Sequence, residues 1–353
     1  MATVLCLTSI EPAGKTALGV AIGKDLIKRG KKVGYFVPVV LEQEAGKNHG
    51  KDTAFIKEIL ELKDENKMIS PMHYAPMDLW NNLSTDTSEF DHNLKSAFQV
   101  ISKGKDVVIV ESLSGLVKDA TATLSCYRIS EQLSAKVIIL LRYSDDLKPD
   151  ILNRVKEELK DNLLGVVINY VPESKIDYVR DNITALFEAD GIKVLGLIPE
   201  SRTLVGVTVE EIVQGLHGKV LTAGDKLSEL VENVMLGAMT PDSGISYFSR
   251  KPNKAVIVNS ERADMQLAAM ETSTSCLILT GDVPPLEQVI HNSEIRNIPI
   301  ISVKSDSLEV IDEMESIFAA NVFNNPKKLK RFQQITAKNV DYNALYTAAG
   351  VVN

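Results

Sequence analysis

Apolar and polar positions along the first two hundred residues fall into two alternating rhythms. Val4–Leu7 is an unbroken apolar run, and after it Leu18, Ile22 and Leu26 recur at four-residue spacing. The first pattern predicts a buried strand and the second a helix with one apolar stripe. That helix closes on Lys28, Arg29 and Gly30, a cationic last turn followed by a stop residue. Val33–Val40 predicts the next strand, and Phe55, Ile59 and Leu62 a further helix. Leu94, Ala97, Phe98 and Ile101 give the i, i+3, i+4, i+7 stripe of a core-facing helix. Continuous apolar strands follow at Val107–Val110, Val137–Leu141, Gly165–Ile168 and Val194–Ile198. Runs apolar on both faces are what a sheet covered on both sides requires. The pattern therefore predicts an α/β fold built on a mostly parallel sheet.

After Pro199 the rhythm breaks. Residues 201–245 mix helical segments with a turn-like stretch from Met239 to Gly244. A second alternation then begins: strand Ala255–Val258, helix Ala263–Met270, strand Cys276–Leu279, helix near Leu286–His291 and strand Pro299–Val303. A helix around Leu308–Phe318 closes it. The expected organisation is a first domain over 1–200, a junction over 201–224, a smaller α/β domain over 225–320 and a C-terminal tail over 321–353. Lys327, Lys328, Lys330 and Arg331 make the tail basic, and it reads as a solvated helix or arm.

Composition narrows the function. A chain of 353 residues exceeds what one core usually supports, in keeping with two domains. Thirty-nine basic against 47 acidic residues leave a net charge of −8, and no long Lys/Arg run is present. An acidic chain of this kind is a poor phosphate-backbone binder, so no nucleic-acid partner is expected. The N-terminus lacks a basic region before its short apolar run, and no stretch approaches the ~20 residues of a spanning helix, so no membrane partner is expected. Cys6, Cys126 and Cys276 are far apart in sequence, and the five histidines show no metal-ligand spacing. Both facts fit a reduced, cytoplasmic protein without a disulfide framework or structural zinc.

The chemistry concentrates in Ser9-Ile10-Glu11-Pro12-Ala13-Gly14-Lys15-Thr16, between the first strand and the first helix. This is the phosphate-loop layout GxxxxGK[ST] with Ser9 in place of the first glycine. In such a loop Glu11, Pro12, Ala13 and Gly14 shape an anion cradle at a helix N-terminus. Lys15 supplies a charge for the outer phosphates and Thr16 a hydroxyl for Mg²⁺. The competing reading is a turn in which Gly14 only caps the strand and Lys15 is solvated.

Together with Gly34-Tyr35-Phe36-Val37-Pro38-Val39, this region resembles the dethiobiotin synthetase family of ATP-dependent enzymes, and the related ATPase domain of cobyrinic acid a,c-diamide synthase. The resemblance covers residues 1–200. It implies Mg-ATP as cofactor, Lys15, Thr16 and Glu111 as the catalytic set, and Asp52 and Glu111 joining Thr16 at the metal. It also implies that Asn169 faces the adenine and that Gly196–Pro199 closes the far side of the base pocket. On the residues alone Asp52 reads first as a helix N-cap, Glu111 reads as a ligand at the end of a parallel strand ahead of a bare charge at a strand exit, and Asn169 reads equally as the start of a turn before Pro172. Two departures stand out. The family's substrate lysine is Val37 here, and its glycine-rich stretch is Ser112-Leu113-Ser114-Gly115.

Residues 225–320 resemble the DRTGG domain, which follows such an ATPase module in long phosphotransacetylases. The resemblance rests on Gly237–Thr240, Asn253–Asp264, Leu277–Asp282 and Ile298–Ile300. It implies a ligand-sensing or dimerising module, with Glu261, Arg262, Asp264, Thr280 and Gly281 as candidate ligand residues; a surface ion-pair cluster is the competing reading of the charged three. The expected function is a Mg-ATP-binding regulatory protein with weak ATPase activity, linked to acyl-phosphate and CoA metabolism, and a homodimer by resemblance. Its other partner would be a small-molecule effector or substrate. The alternative is an ATP-dependent ligase or cyclase that activates a carboxylate or carbamate by phosphoryl transfer.

Overall fold

The computed structural model describes residues 2–42, 49–238, 241–281, 283–320, 323 and 325–351, with only the backbone of 49–52 and 241–243. The chain forms two compact units: Met1–Glu200 with Phe323–Asn353, and Ser201–Val322.

The first unit contains β1 (Thr3–Ser9), β2 (Val33–Phe36), β3 (Val39–Leu41), β4 (Met72–Tyr74), β5 (Val107–Ser114), β6 (Lys136–Arg142), β7 (Leu163–Val171) and β8 (Val194–Pro199). Six of these make a parallel sheet in the order β2-β5-β1-β6-β7-β8. Its strands are buried nearly throughout, as their continuous apolar runs require. Strand order reverses at β1, and such a switch point is where open α/β sheets place ligands.

The run Val33–Val40 is not one strand. It stops at Phe36, and Val39–Leu41 pairs instead with β4. Pro38 has no N–H to continue the ladder, and Val37 donates its own to Ile69 O at 2.7 Å.

The C-terminal segment, expected as a solvated helix or arm, is helical but packed and not solvated. It forms helices Pro326–Asn339 and Tyr342–Ala349 that rejoin the first unit. Leu329, Phe332, Ile335, Leu345 and Tyr346 are buried, and so is Lys328. Val340 makes an antiparallel bridge to Gly196 on the edge strand β8, and Asp341 N–H donates to Leu195 O at 3.1 Å. Gly196 is required there, because a Cβ would lie 2.7 Å from Asn339 O. The Tyr346 hydroxyl donates to Asp25 at 3.0 Å, and the Arg29 guanidinium lies 5.1 Å above its ring.

The second unit contains β9 (Val207–Thr208), β10 (Lys219–Val220), β11 (Leu230–Val231), β12 (Asn233–Leu236), β13 (Lys254–Asn259), β14 (Thr274–Thr280) and β15 (Ile300–Val303). Five form a sheet in the order β10-β15-β14-β13-β12, parallel except for β10; β9 and β11 pair separately. Alternation along β13 and β14 feeds two cores. Ile257 and Ile278 join Ile212, Val310 and Met314 on one face. Val256, Val258, Leu277 and Leu279 join Met265, Ala269 and Val289 on the other. Among the described residues, no helix is long and apolar enough to cross a membrane.

Candidate functional site

β1 ends at Ser9, and the helix Lys15–Lys28 begins six residues on. Between them Gly14 takes a left-handed conformation, φ 87°, which an L side chain adopts only at a cost. A Cβ on Gly14 would also come within 3.0 Å of the Asn169 amide nitrogen. That amide donates to Ala13 O at 2.8 Å, and Asn169 Oδ1 accepts the Tyr170 N–H at 2.8 Å. Asn169 therefore spans from the end of β7 to the loop and holds the turn, with both ends of its amide engaged. The next residue, Tyr170, sits at φ 58° with its ring 4.3 Å from the Arg142 guanidinium.

Lys15 and Thr16 open the helix after β1, and Glu111 meets them from within β5, opposite Leu7 in the ladder, because that strand runs on to Ser114 and does not stop at Val110. The Thr16 hydroxyl donates to Glu111 Oε1 at 2.9 Å, and the Tyr35 hydroxyl donates to Glu111 Oε2 at 2.8 Å. Both carboxylate oxygens are thus engaged. Lys15 is 8% exposed; its ammonium donates to Ser9 Oγ at 3.5 Å and to Ser114 Oγ. A cavity of about 220 Å³ opens against Lys15, Thr16, Glu111 and Ser114, and Val37, Val39 and Val40 line its other side.

Among the described residues no group of three or more His, Cys, Asp or Glu could hold a metal ion. The Thr16 hydroxyl and Glu111 carboxylate nevertheless converge as two hard oxygen donors. That set suits Mg²⁺, which takes few protein ligands and completes its shell with phosphate and water. Asp52 belongs to the helix His49–Ile59, and its side chain lies outside the described residues. Glu11 is paired with Lys118 at 3.4 Å, and Pro199 closes β8.

Sequence reasoning missed three members of this constellation. Tyr35 is fully buried, and the signal for it was Gly19, where a Cβ would lie 2.5 Å from the Tyr35 hydroxyl. Ser9 and Ser114 stood out only as departures from glycine. Cys6 and Cys126 are free, buried thiols, and a hydrogen bond with Cys126, together with burial, pushes the Cys6 thiol up.

In the second unit, Arg262 pairs with Asp264, with Nε and Nη2 of Arg262 at 3.0 and 2.9 Å from the carboxylate oxygens. The guanidinium holds the Asp264 carboxyl below its usual range. Glu261 is exposed, and its N–H caps Asn259 Oδ1 at 2.8 Å. Thr280 is buried, with its hydroxyl 3.0 Å from that of Ser307 and its carbonyl accepting from Ser260 Oγ at 2.8 Å. Gly281 follows at φ 95°. These residues share the carboxyl ends of β13 and β14. A separate cavity of about 390 Å³ lies beside the edge strand β12; there the buried Asn233 accepts from Arg202 at 2.7 Å and donates to Pro252 O at 2.7 Å.

Residues 3–208 match the AAA domain family. The chain belongs to that family. A DRTGG domain match follows over residues 211–317, the order found in phosphate acetyltransferases. Those of Nitrosomonas europaea and Pseudomonas aeruginosa are each 21% identical over 96% of this chain and 50% of their own length. The chain thus spans about half the length of the curated relatives it matches. Among solved structures, the MinD cell division protein of Aquifex aeolicus is 18% identical, covering 58% of this chain and 85% of its own at a TM-score of 0.37. The CBS and DRTGG domains of Clostridium perfringens pyrophosphatase, complexed with diadenosine tetraphosphate, are 17% identical over 51% of this chain and 72% of their own, at a TM-score of 0.29.

Proposed function

We propose that the AAA domain of this chain is a Mg-ATP site with a regulatory role, and that the DRTGG domain senses a small molecule or joins two copies of the chain. The observation that carries the reading is the convergence of Lys15, Thr16 and Glu111 at the end of the central strand, around a glycine turn fixed by Asn169. In this reading Lys15 meets the outer phosphates, and backbone from Glu11 to Gly14 cradles them. Thr16 and Glu111 hold Mg²⁺ with Asp52 as a further carboxylate. Asn169 and Pro199 border the base. Weak ATPase activity is expected, because Glu111 already serves two hydroxyls instead of a water. Glu261, Arg262, Asp264, Thr280 and Gly281 are the effector-facing set of the second domain. The link to acyl-phosphate and CoA metabolism rests on the relatives' name alone.

The cavity beside Lys15 supports a second reading, an ATP-dependent ligase or cyclase whose substrate occupies that space. ATP turnover that appears only with one carboxylic or amine metabolite would favour it.

A native mass spectrum tests the first reading. A homodimer carrying one nucleotide per chain with Mg-ATP is the expected species. A monomer that stays nucleotide-free at saturating Mg-ATP contradicts it.

A further inference from the structure

The carboxyl end of β5 is stitched to the first residue of the phosphate loop. Ser9 pairs with Ser114 across the β1–β5 ladder, and the N–H groups of Gly115 and Leu116 both donate to Ser9 O, at 2.9 and 3.0 Å. Ser9 is fully buried, whereas Ser114 is exposed and lines the cavity beside Lys15.

The hydroxyl bonding at this junction is one-directional. Ser9 Oγ donates to Ser114 Oγ at 3.3 Å, and the Lys15 ammonium donates to the same oxygen. A serine hydroxyl has one proton and two acceptor lone pairs. Ser114 uses both lone pairs in these bonds, so its own proton remains to be donated. Among the described residues no acceptor takes it. The donor sits on the cavity lined by Lys15, Thr16 and Glu111, where the reading above places the terminal phosphate.

We propose that Ser114 is a ligand of that terminal phosphate, adding a hydroxyl donor the loop motif does not contain, and that it sets a preference for nucleoside triphosphates over diphosphates. The inference rests on the nucleotide reading of this site. A phosphate oxygen next to Lys15 receives the Ser114 proton in a charge-assisted bond, while Ser9 keeps the serine in place from below. A diphosphate ends one group short and gains nothing from Ser114.

Calorimetric affinities for Mg-ATP and Mg-ADP, measured on the full chain, test this. Ser114→Ala is expected to weaken Mg-ATP about tenfold and leave Mg-ADP within about twofold, since a hydrogen bond to a charged partner is of that size. Ser114→Thr, which keeps the hydroxyl, is expected to retain the wild-type ratio. A merely structural serine would move both affinities together, so an unchanged ATP-to-ADP ratio in Ser114→Ala overturns the proposal. Wild-type protein that binds neither nucleotide overturns the underlying reading instead.

Discussion

Tyr35 reaches Glu111 across a gap that Gly19 leaves in the first helix: the phenol donates to Oε2 at 2.8 Å, and any Cβ at Gly19 would lie 2.5 Å from the phenol oxygen. A mid-helix glycine costs about 0.5–1 kcal/mol against alanine, and here it makes room for the bond that orients the carboxylate. Gly19→Ala is expected to destabilise the chain by about 1–3 kcal/mol through overpacking. Tyr35→Phe is expected to cost about 1.5–3 kcal/mol, as for a bond to a charged acceptor. The two changes act on one contact, so the double variant should cost less than their sum. Urea unfolding of the three variants measures this, and strict additivity would show that Gly19 and Tyr35 are unrelated.

Asn169 braces the loop through Ala13 O and the Tyr170 N–H. Asn169→Ala is expected to lose about 1–3 kcal/mol, because it leaves buried groups without partners. Asn169→Asp keeps the acceptor for Tyr170 but sets a carboxylate against the Ala13 carbonyl and near the anion cradle. It should impair nucleotide binding more than alanine does, and a titration of both variants distinguishes them.

The C-terminal helices are part of the first unit's core. Phe332 is 2% exposed, and its ring centroid lies 5.7 Å from that of Phe323. Phe332→Ala is expected to cost about 3–5 kcal/mol. A solvated arm would tolerate the change within about 0.5 kcal/mol, so one chemical-denaturation curve decides between the two.

Lys254 is fully buried in the second unit, where its ammonium donates to Thr272 Oγ1 at 2.8 Å and Ser273 O at 2.9 Å. Burial pulls its pKa from 10.5 down to about 8. Between those values the unfolded chain holds a proton that the folded chain has released, so stability gains from this group as pH rises through the window. Below about pH 8 both states are protonated and the gain is absent. Lys254→Met removes the contribution. The difference in melting temperature between wild type and variant should shift in favour of wild type from pH 8 to 10.5, and a constant difference would refute the assignment.

Much of this was legible in the sequence, for local reasons. The phosphate loop is specified by consecutive residues, and the parallel sheet by uninterrupted apolar runs such as Val107–Val110. What escaped depended on distant strands meeting. Tyr35 and Ser114 acquire their roles only because β2 and β1 flank β5, which no spacing along the chain records. Pro38 marks the strand break in the sequence, but the apolar residues on both sides of it hide the change of partner strand. In the tail, Lys327, Lys328, Lys330 and Arg331 mask a stripe of Leu329, Phe332 and Ile335 at three-residue spacing, and Lys328 itself is buried.

The central claim is that Lys15 anchors a nucleotide at the end of β1. Isothermal titration of Mg-ATP into wild type and Lys15→Ala tests it most directly. Saturable wild-type binding that weakens at least about thirtyfold in the variant, roughly 2 kcal/mol or more, is the expected result for loss of a charged phosphate contact. Equal affinity in the two proteins, or no binding by either, contradicts the account.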